Sequence, residues 1–124
     1  LMPAVHVLLY KEDDGTIPIL EWLDRLPSKV QDKCVARIKR LRDLGHELRR
    51  PESDYLRDGI YELRFRHQTV NYRVLYFFHG TSVVVLTNGL SKEKQVAPGE
   101  IDKAIVLRKR FDTIPVSHVY RWEI

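Results

Sequence analysis

The chain has 124 residues, 44% hydrophobic and 31% charged, with a formal net charge of +4; this is the length of one domain that buries its own core, and the composition is too apolar for a disordered chain. No apolar run approaches the 18 or so residues that span a bilayer, and no charged segment leading into an apolar one opens the sequence, so a cytoplasmic location is expected. The single cysteine, Cys34, excludes an internal disulfide, fits a reducing compartment, and falls on an apolar helical stripe as a core residue rather than a nucleophile.

In chain order, residues 4–10 (AVHVLLY) read as a first strand. His6 is taken as a partly buried sheet residue, because no second His, Cys or carboxylate stands at metal-ligand spacing. After the KEDDG turn, Thr16 offers an N-cap and Pro18 a first-turn proline for a helix whose apolar side is Ile19, Leu20, Leu23 and Leu26. Pro27 stops it. Ser28 and Gln31 form a capping box for a second helix, in which Val30, Cys34, Ile38, Leu41 and Leu44 recur every three or four residues as far as Gly45. The two make a helical hairpin. The outer side of the second helix carries Lys29, Lys33, Arg37, Lys39, Arg40 and Arg42 against Asp32 and Asp43, which suits either a solvated face or a contact to a polyanion. The polar segment HELRRPESDYLRDG then links the helices to a sheet.

Three strand-like runs follow between Tyr61 and Lys94. Tyr61, Leu63 and Phe65 alternate with Glu62, Arg64 and Arg66, so a half-buried strand sends the aromatic set inward and both arginines outward on one face, about 7 Å apart at roughly 3.3 Å per residue. That spacing suits a line of phosphates. Val70 to Phe78 is β-branched and aromatic over nearly its whole length, as expected of a central strand covered on both sides. Arg73 interrupts it, and a guanidinium there is expensive to bury unless it is paired or reaches a wet cleft. The third run, from Ser82, ends at Thr87, Asn88 and Gly89, and Lys92 and Lys94 follow. Pro98 and Glu100 open a third helix, with Ile101, Ala104 and Ile105 inward and Lys103, Arg108, Lys109 and Arg110 largely outward. The expected architecture is α+β: a mainly antiparallel sheet of about four strands (residues 4–10, 61–66, 70–78 and 82–88), the hairpin from Thr16 to Gly45 on one face, and a C-terminal helix.

The charge is unevenly placed. Residues 1–60 hold 11 Lys and Arg against 11 Asp and Glu, whereas residues 61–111 hold 9 against 4. The basic excess coincides with the sheet and the helix after it, the distribution expected of a surface that meets nucleic acid, although the same charges also serve to solvate a face.

The element order and the motifs DGIYELRFRH, NYRVLYFF and GLSKEKQVAP resemble the RelE/HigB superfamily of bacterial toxins, in particular the phage-derived Gp49-like group, over roughly residues 4–111. Residues 112–124 stand outside this core as a tail of a single toxin domain. The resemblance implies a twisted sheet holding two helices on one face. It also implies a toxin of a type II toxin–antitoxin system, a ribosome-dependent mRNA endonuclease that inhibits translation. By the same resemblance a cognate antitoxin neutralises it, often one with a helix-turn-helix domain, in a toxin–antitoxin hetero-oligomer. The family's strand arginine in E-L-R falls on Arg64, the arginine of Y-R-V-L-Y on Arg73, and the first lysine of G-F-x-K-K-x-x-x-x-P on Lys92. Two positions depart. Asn88 stands where the family commonly has His, and Glu93 where it has a second Lys, so the resemblance leaves the general acid and base unassigned.

Cutting RNA through its own 2′-OH requires a proton to leave that hydroxyl, the phosphorane to be stabilised, and the 5′-oxygen to be protonated. Arg64 and Arg73, with bidentate forks that stay charged, suit the second task. Lys92 suits phosphate binding or proton transfer, and His67, His118 and Tyr120 are the remaining acid–base candidates, none placed by spacing. Arg66, Lys94, Tyr72, Asn88 and Lys103 are the expected RNA contacts. No metal-ligand cluster, Gly-rich phosphate loop or cofactor motif is present in the sequence, and neither a metal nor a cofactor is expected. A non-catalytic nucleic-acid- or protein-binding module of phage origin is the alternative.

Overall fold

The structure, a computed structural model, describes residues 4–91 and 95–124. The chain runs β1 (His6–Tyr10), α1 (Pro18–Asp24), α2 (Ser28–Leu44), β2 (Ser53–Arg57), β3 (Ile60–His67), β4 (Val70–His79), β5 (Val83–Ser91), α3 (Pro98–Thr113) and β6 (Val119–Arg121), with short 3₁₀ turns at Gly45–Glu47 and Pro115–His118. The strands form one sheet in the order β2-β3-β4-β5-β1-β6. It is antiparallel except where β1 lies parallel to β5.

The sheet is covered on both faces, and the strand alternation sorts side chains between two cores. On one face, Leu9, Leu63, Phe65, Val74, Tyr76 and Leu86 pack under Ile19, Trp22, Val30, Cys34, Ile38 and Leu41 of the helical hairpin. On the other, Tyr10, Ile60, Leu75, Phe77 and Val85 pack under Ile101, Ala104, Leu107 and Phe111 of α3. Cys34 is fully buried in the first core, and burial pushes its thiol up to about 12, which leaves it protonated and inert. No described helix is long and apolar enough to cross a membrane.

Several expectations are corrected. The sheet has six strands instead of four. β2 arises within the segment expected to be a linker, because Asp58 and Gly59 take positive φ values of 52° and 82° and close a two-residue hairpin between Arg57 and Ile60. β6 comes from the expected tail and pairs with β1. β5 continues to Ser91 through a bulge, with Thr87 and Asn88 together facing the single residue Leu75. His6 is exposed rather than partly buried. The first helix is preceded by Ile17 rather than capped by Thr16. Ser28 is already helical, and Gln31 reaches back instead to the Leu23 and Leu26 carbonyls at 2.9 and 3.1 Å, tying α2 to the end of α1. On α3, Leu107 and Phe111 complete the buried stripe, with Ile105 only partly buried beside it.

Gly89 is fixed by packing rather than by its backbone. The Trp22 ring lies so close that a Cβ at position 89 would come within 2.1 Å of it, while the indole N–H donates to Ser91 Oγ at 3.2 Å. The indole therefore pins α1 to the bulged end of β5. Gly89→Ala should displace this buried ring and cost about 1–3 kcal/mol, the usual range for an overpacked core; chemical denaturation of the variant measures it, and an unchanged midpoint would contradict the close approach.

Candidate functional site

Where α3 ends its cover, the apolar face of the sheet becomes charged. Ile60 on β3 and Leu75 and Phe77 on β4 lie in the core under α3, and two residues further along each strand stand Glu62 and Arg73. The register pairs Arg64 with Arg73 across β3 and β4, and Asp54 with Glu62 across β2 and β3. Each is a like-charge pair, destabilising alone. The diagonals resolve it. Arg73 Nε donates to Glu62 Oε1 at 2.5 Å, Arg64 lies 3.4 Å from the same oxygen, and Arg64 also lies 3.6 Å from Asp54 Oδ2. Glu62 and Arg73 are only 4% and 7% exposed, so their pairing offsets a desolvation cost of several kcal/mol per ion. Asp54 is held further by Arg50 at 2.9 Å, whose hydrogen bond keeps the Asp54 carboxyl below its ordinary range.

Beside this group opens a groove of about 410 Å³. Its walls include Arg37, Arg64, Arg66, Asn71, Tyr72 and Arg73. Arg37 enters from α2, where its guanidinium donates to the Arg64 carbonyl and lies 3.3 Å from Glu52. Glu52 in turn receives two hydrogen bonds from Arg40, at 2.9 and 2.7 Å, and these hold its carboxyl below the usual value. Arg66 is exposed and its Nε donates to the Gln68 carbonyl at 2.9 Å. The groove is thus lined by four arginines, of which Arg66 is exposed, Arg37 and Arg64 are half-buried and Arg73 is buried. Chemically it suits an anion with several oxygens, above all a phosphodiester.

The structure brings Arg64, Arg66 and Arg73 together as the sequence suggests. Tyr72 lines the groove, but its ring is 8% exposed and stacks on Phe65 at 5.1 Å with Trp22 edge-on, so it serves packing more than contact. His67 alternates with Leu63 and Phe65 and falls on the hairpin side of the sheet, away from the Arg64 and Arg73 side chains; its buried Nδ1 has no hydrogen-bond partner among the described residues. Asn88 is held in the β5 bulge, where Thr87 Oγ1 donates to its side chain at 2.9 Å. Lys103 is exposed on α3, 3.9 Å from Glu100. Tyr120 lies on β6, separated from β4 by β1 and β5. His118 is buried beside it, stacked on Tyr10 at 5.1 Å and bonded to the Lys11 carbonyl at 2.9 Å. Lys92, Glu93 and Lys94 fall outside the described residues.

Glu62, Asp54 and Arg37 were not expected at the site. Glu62 carried a signal, since it stands two residues from Arg64 and so shares its face on any strand. Asp54 carried none and Arg37 only its place on the basic side of α2, because where the two sit depends on the β2 hairpin and on how α2 crosses β3.

A family model described as Phage derived protein Gp49-like matches residues 21–109. It begins inside α1 and ends inside α3, and so includes every residue named above in the groove. Among curated proteins, none matches the chain at significant similarity.

Replacing Glu62 by Gln keeps the shape but removes the charge that Arg73 faces in the protein interior. The variant should lose on the order of 3 kcal/mol of stability, as when one partner of a buried pair is removed. Urea denaturation of the parental chain and the variant decides it, and equal stabilities would mean that the pair is not what holds Arg73.

Proposed function

Because the chain belongs to the Gp49-like family, a RelE/HigB-like toxin family, we propose that it is the toxin of a toxin–antitoxin pair and cleaves mRNA on the ribosome at the Arg64–Arg73 groove. The observation that carries this reading is the gathering of Arg37, Arg64, Arg66 and Arg73 around one groove beside a buried carboxylate that accepts a hydrogen bond from Arg73 and lies 3.4 Å from Arg64.

In the proposed reaction the 2′-OH loses its proton and attacks the adjacent phosphorus, the bond to the 5′-oxygen breaks as that oxygen takes up a proton, and a cyclic phosphate is left on the upstream fragment and a 5′-hydroxyl on the downstream one. Negative charge builds on the phosphorane oxygens. Arg64 and Arg73 stabilise it, and their value lies in being held in place before the charge develops. Glu62 is a positioning residue: it orients both guanidinium groups and does not itself meet the phosphate. Lys92, matched to the family's motif lysine, is proposed to hold the phosphate or carry a proton. Arg66 and Lys94 are proposed as RNA contacts.

The partner in the resting state is proposed to be an antitoxin whose acidic, mostly helical segment covers the groove and competes for Arg66 and Arg37. Glu62 and Asp54 already answer Arg64 and Arg73 from within, so the outer cations offer the partner more. One observation favours a non-catalytic RNA-binding module instead. His67 and Tyr120, the acid–base candidates within the described residues along with His118, do not face the groove.

Arg73→Lys separates the two readings. It keeps the charge and most of the stem but loses the fork, and loss of one preorganised donor costs roughly 3–4 kcal/mol in the chemical step. The variant should fold and still associate with translating ribosomes, while mRNA cleavage slows on the order of 100- to 1000-fold. Parental-rate cleavage by the folded variant would move the assignment to Arg64 and Lys92, and no cleavage by the parental chain would favour the binding module.

A further inference from the structure

The basic side of α2 is built into the sheet edge. Lys33, Arg37 and Arg40 recur at intervals of four and three residues, which makes one stripe about 10 Å long at 1.5 Å per residue. Lys33 Nζ donates to the Arg66 carbonyl at 3.2 Å, and Arg37 donates to the Arg64 carbonyl, so the stripe follows the outer edge of β3 beyond the end of β2. A second hollow of about 330 Å³ lies there, with Lys33, Arg37, Arg40, Glu52, Phe65 and Arg66 in its walls. Arg37, Phe65 and Arg66 also line the first groove. The two hollows therefore adjoin at the edge of β3 across these shared residues and together form a trough.

Four cations and one carboxylate line the second hollow, and Lys33, Arg40 and Arg66 are exposed. The strand edge itself is poorly suited to an added peptide strand. The Arg64 N–H already donates to the Glu52 carbonyl at 2.8 Å, and the carbonyls of Arg64 and Arg66 are taken by Arg37 and Lys33, so three of the groups a pairing strand needs are occupied. A sugar-phosphate backbone needs only a row of cations and donors.

Resting on the RNA-cleaving reading of the groove, we propose that the trough carries the backbone of the same RNA strand over the edge of β3 and onto α2, with Arg66, Lys33 and Arg40 as phosphate contacts. These contacts are independent of base sequence. They extend the bound strand beyond the nucleotides at the reacting phosphate.

The test is equilibrium binding of a fluorescent, 2′-O-methylated single-stranded oligonucleotide, which cannot be cut through its 2′-oxygen, across a range of salt concentrations. Each phosphate contact to a single strand contributes about −0.7 to the slope of log K against log salt. Lys33→Gln and Arg40→Gln should each flatten the slope by about that amount and weaken binding several-fold, with unchanged circular dichroism. Lys109→Gln, an equal loss of charge on α3, should leave the slope as it is. Lys33 makes one backbone hydrogen bond and no ion pair among the described residues, so its variant tests the trough even if Arg40→Gln disturbs Glu52. Unchanged slopes in both α2 variants, an equal loss in Lys109→Gln, or a parental chain that binds an acidic peptide but no RNA would overturn the proposal. Flattened slopes in a protein that cuts no mRNA on ribosomes would retain the trough and remove the cleavage reading.

Discussion

Glu62 is the carboxylate on which the charged end of the sheet depends. It lies 4% exposed between two guanidinium groups that the β3–β4 register places directly opposite each other. Without it, Arg64 and Arg73 would face each other as like charges, and Arg73 would lose the carboxylate 2.5 Å from its Nε. With it, two cations are held side by side in a fixed orientation next to an open groove. Buried pairs of this kind add little net stability compared with apolar packing. Their retention here is consistent with a requirement for placed charge, which is what transition-state stabilisation demands.

The rest of the fold frames this arrangement from both faces. α3 covers the half of the sheet that carries Ile60, Leu75 and Phe77 and leaves the Glu62–Arg73 half uncovered by its apolar stripe. The helical hairpin covers the other face completely enough that Tyr72, Phe65 and Trp22 pack as one aromatic group behind the groove. α2 then contributes cations to the β3 edge through Lys33 and Arg37. The same two contacts occupy carbonyls that edge-to-edge strand pairing would use, a hazard wherever a strand outruns its neighbour.

Much of this was legible in the chain because the signals were local. The alternation of Tyr61, Leu63 and Phe65 with charged residues places β3, the apolar run around Arg73 places β4 at the centre of the sheet, and the spacing from Val30 to Leu44 places α2. Arg73 even announced that it needed a partner. What escaped detection depends on contacts between distant segments. β2 is a polar edge strand with no apolar alternation, and only the Asp58–Gly59 turn pointed to it. The bulge at Thr87 and Asn88 made a continuing strand look like one that stops. Ser28 and Gln31 match a capping box, yet Gln31 finds better acceptors at the end of α1. Glu62 looks like one more outward charge until β2 and β4 flank it and Arg73 pairs with it, and His67 looks like a neighbour of Arg64 until strand alternation turns it to the other face.

The central claim is that the held arginines act on a phosphate attacked by its own 2′-oxygen. The most direct measurement is the chemistry of the RNA ends after the purified protein has met translating ribosomes. A cyclic phosphate on the upstream fragment and a 5′-hydroxyl on the downstream one, with no cut where the scissile nucleotide lacks its 2′-OH, is the predicted result. A 5′-phosphate on the downstream fragment, or cleavage that persists at the 2′-deoxy position, would contradict it.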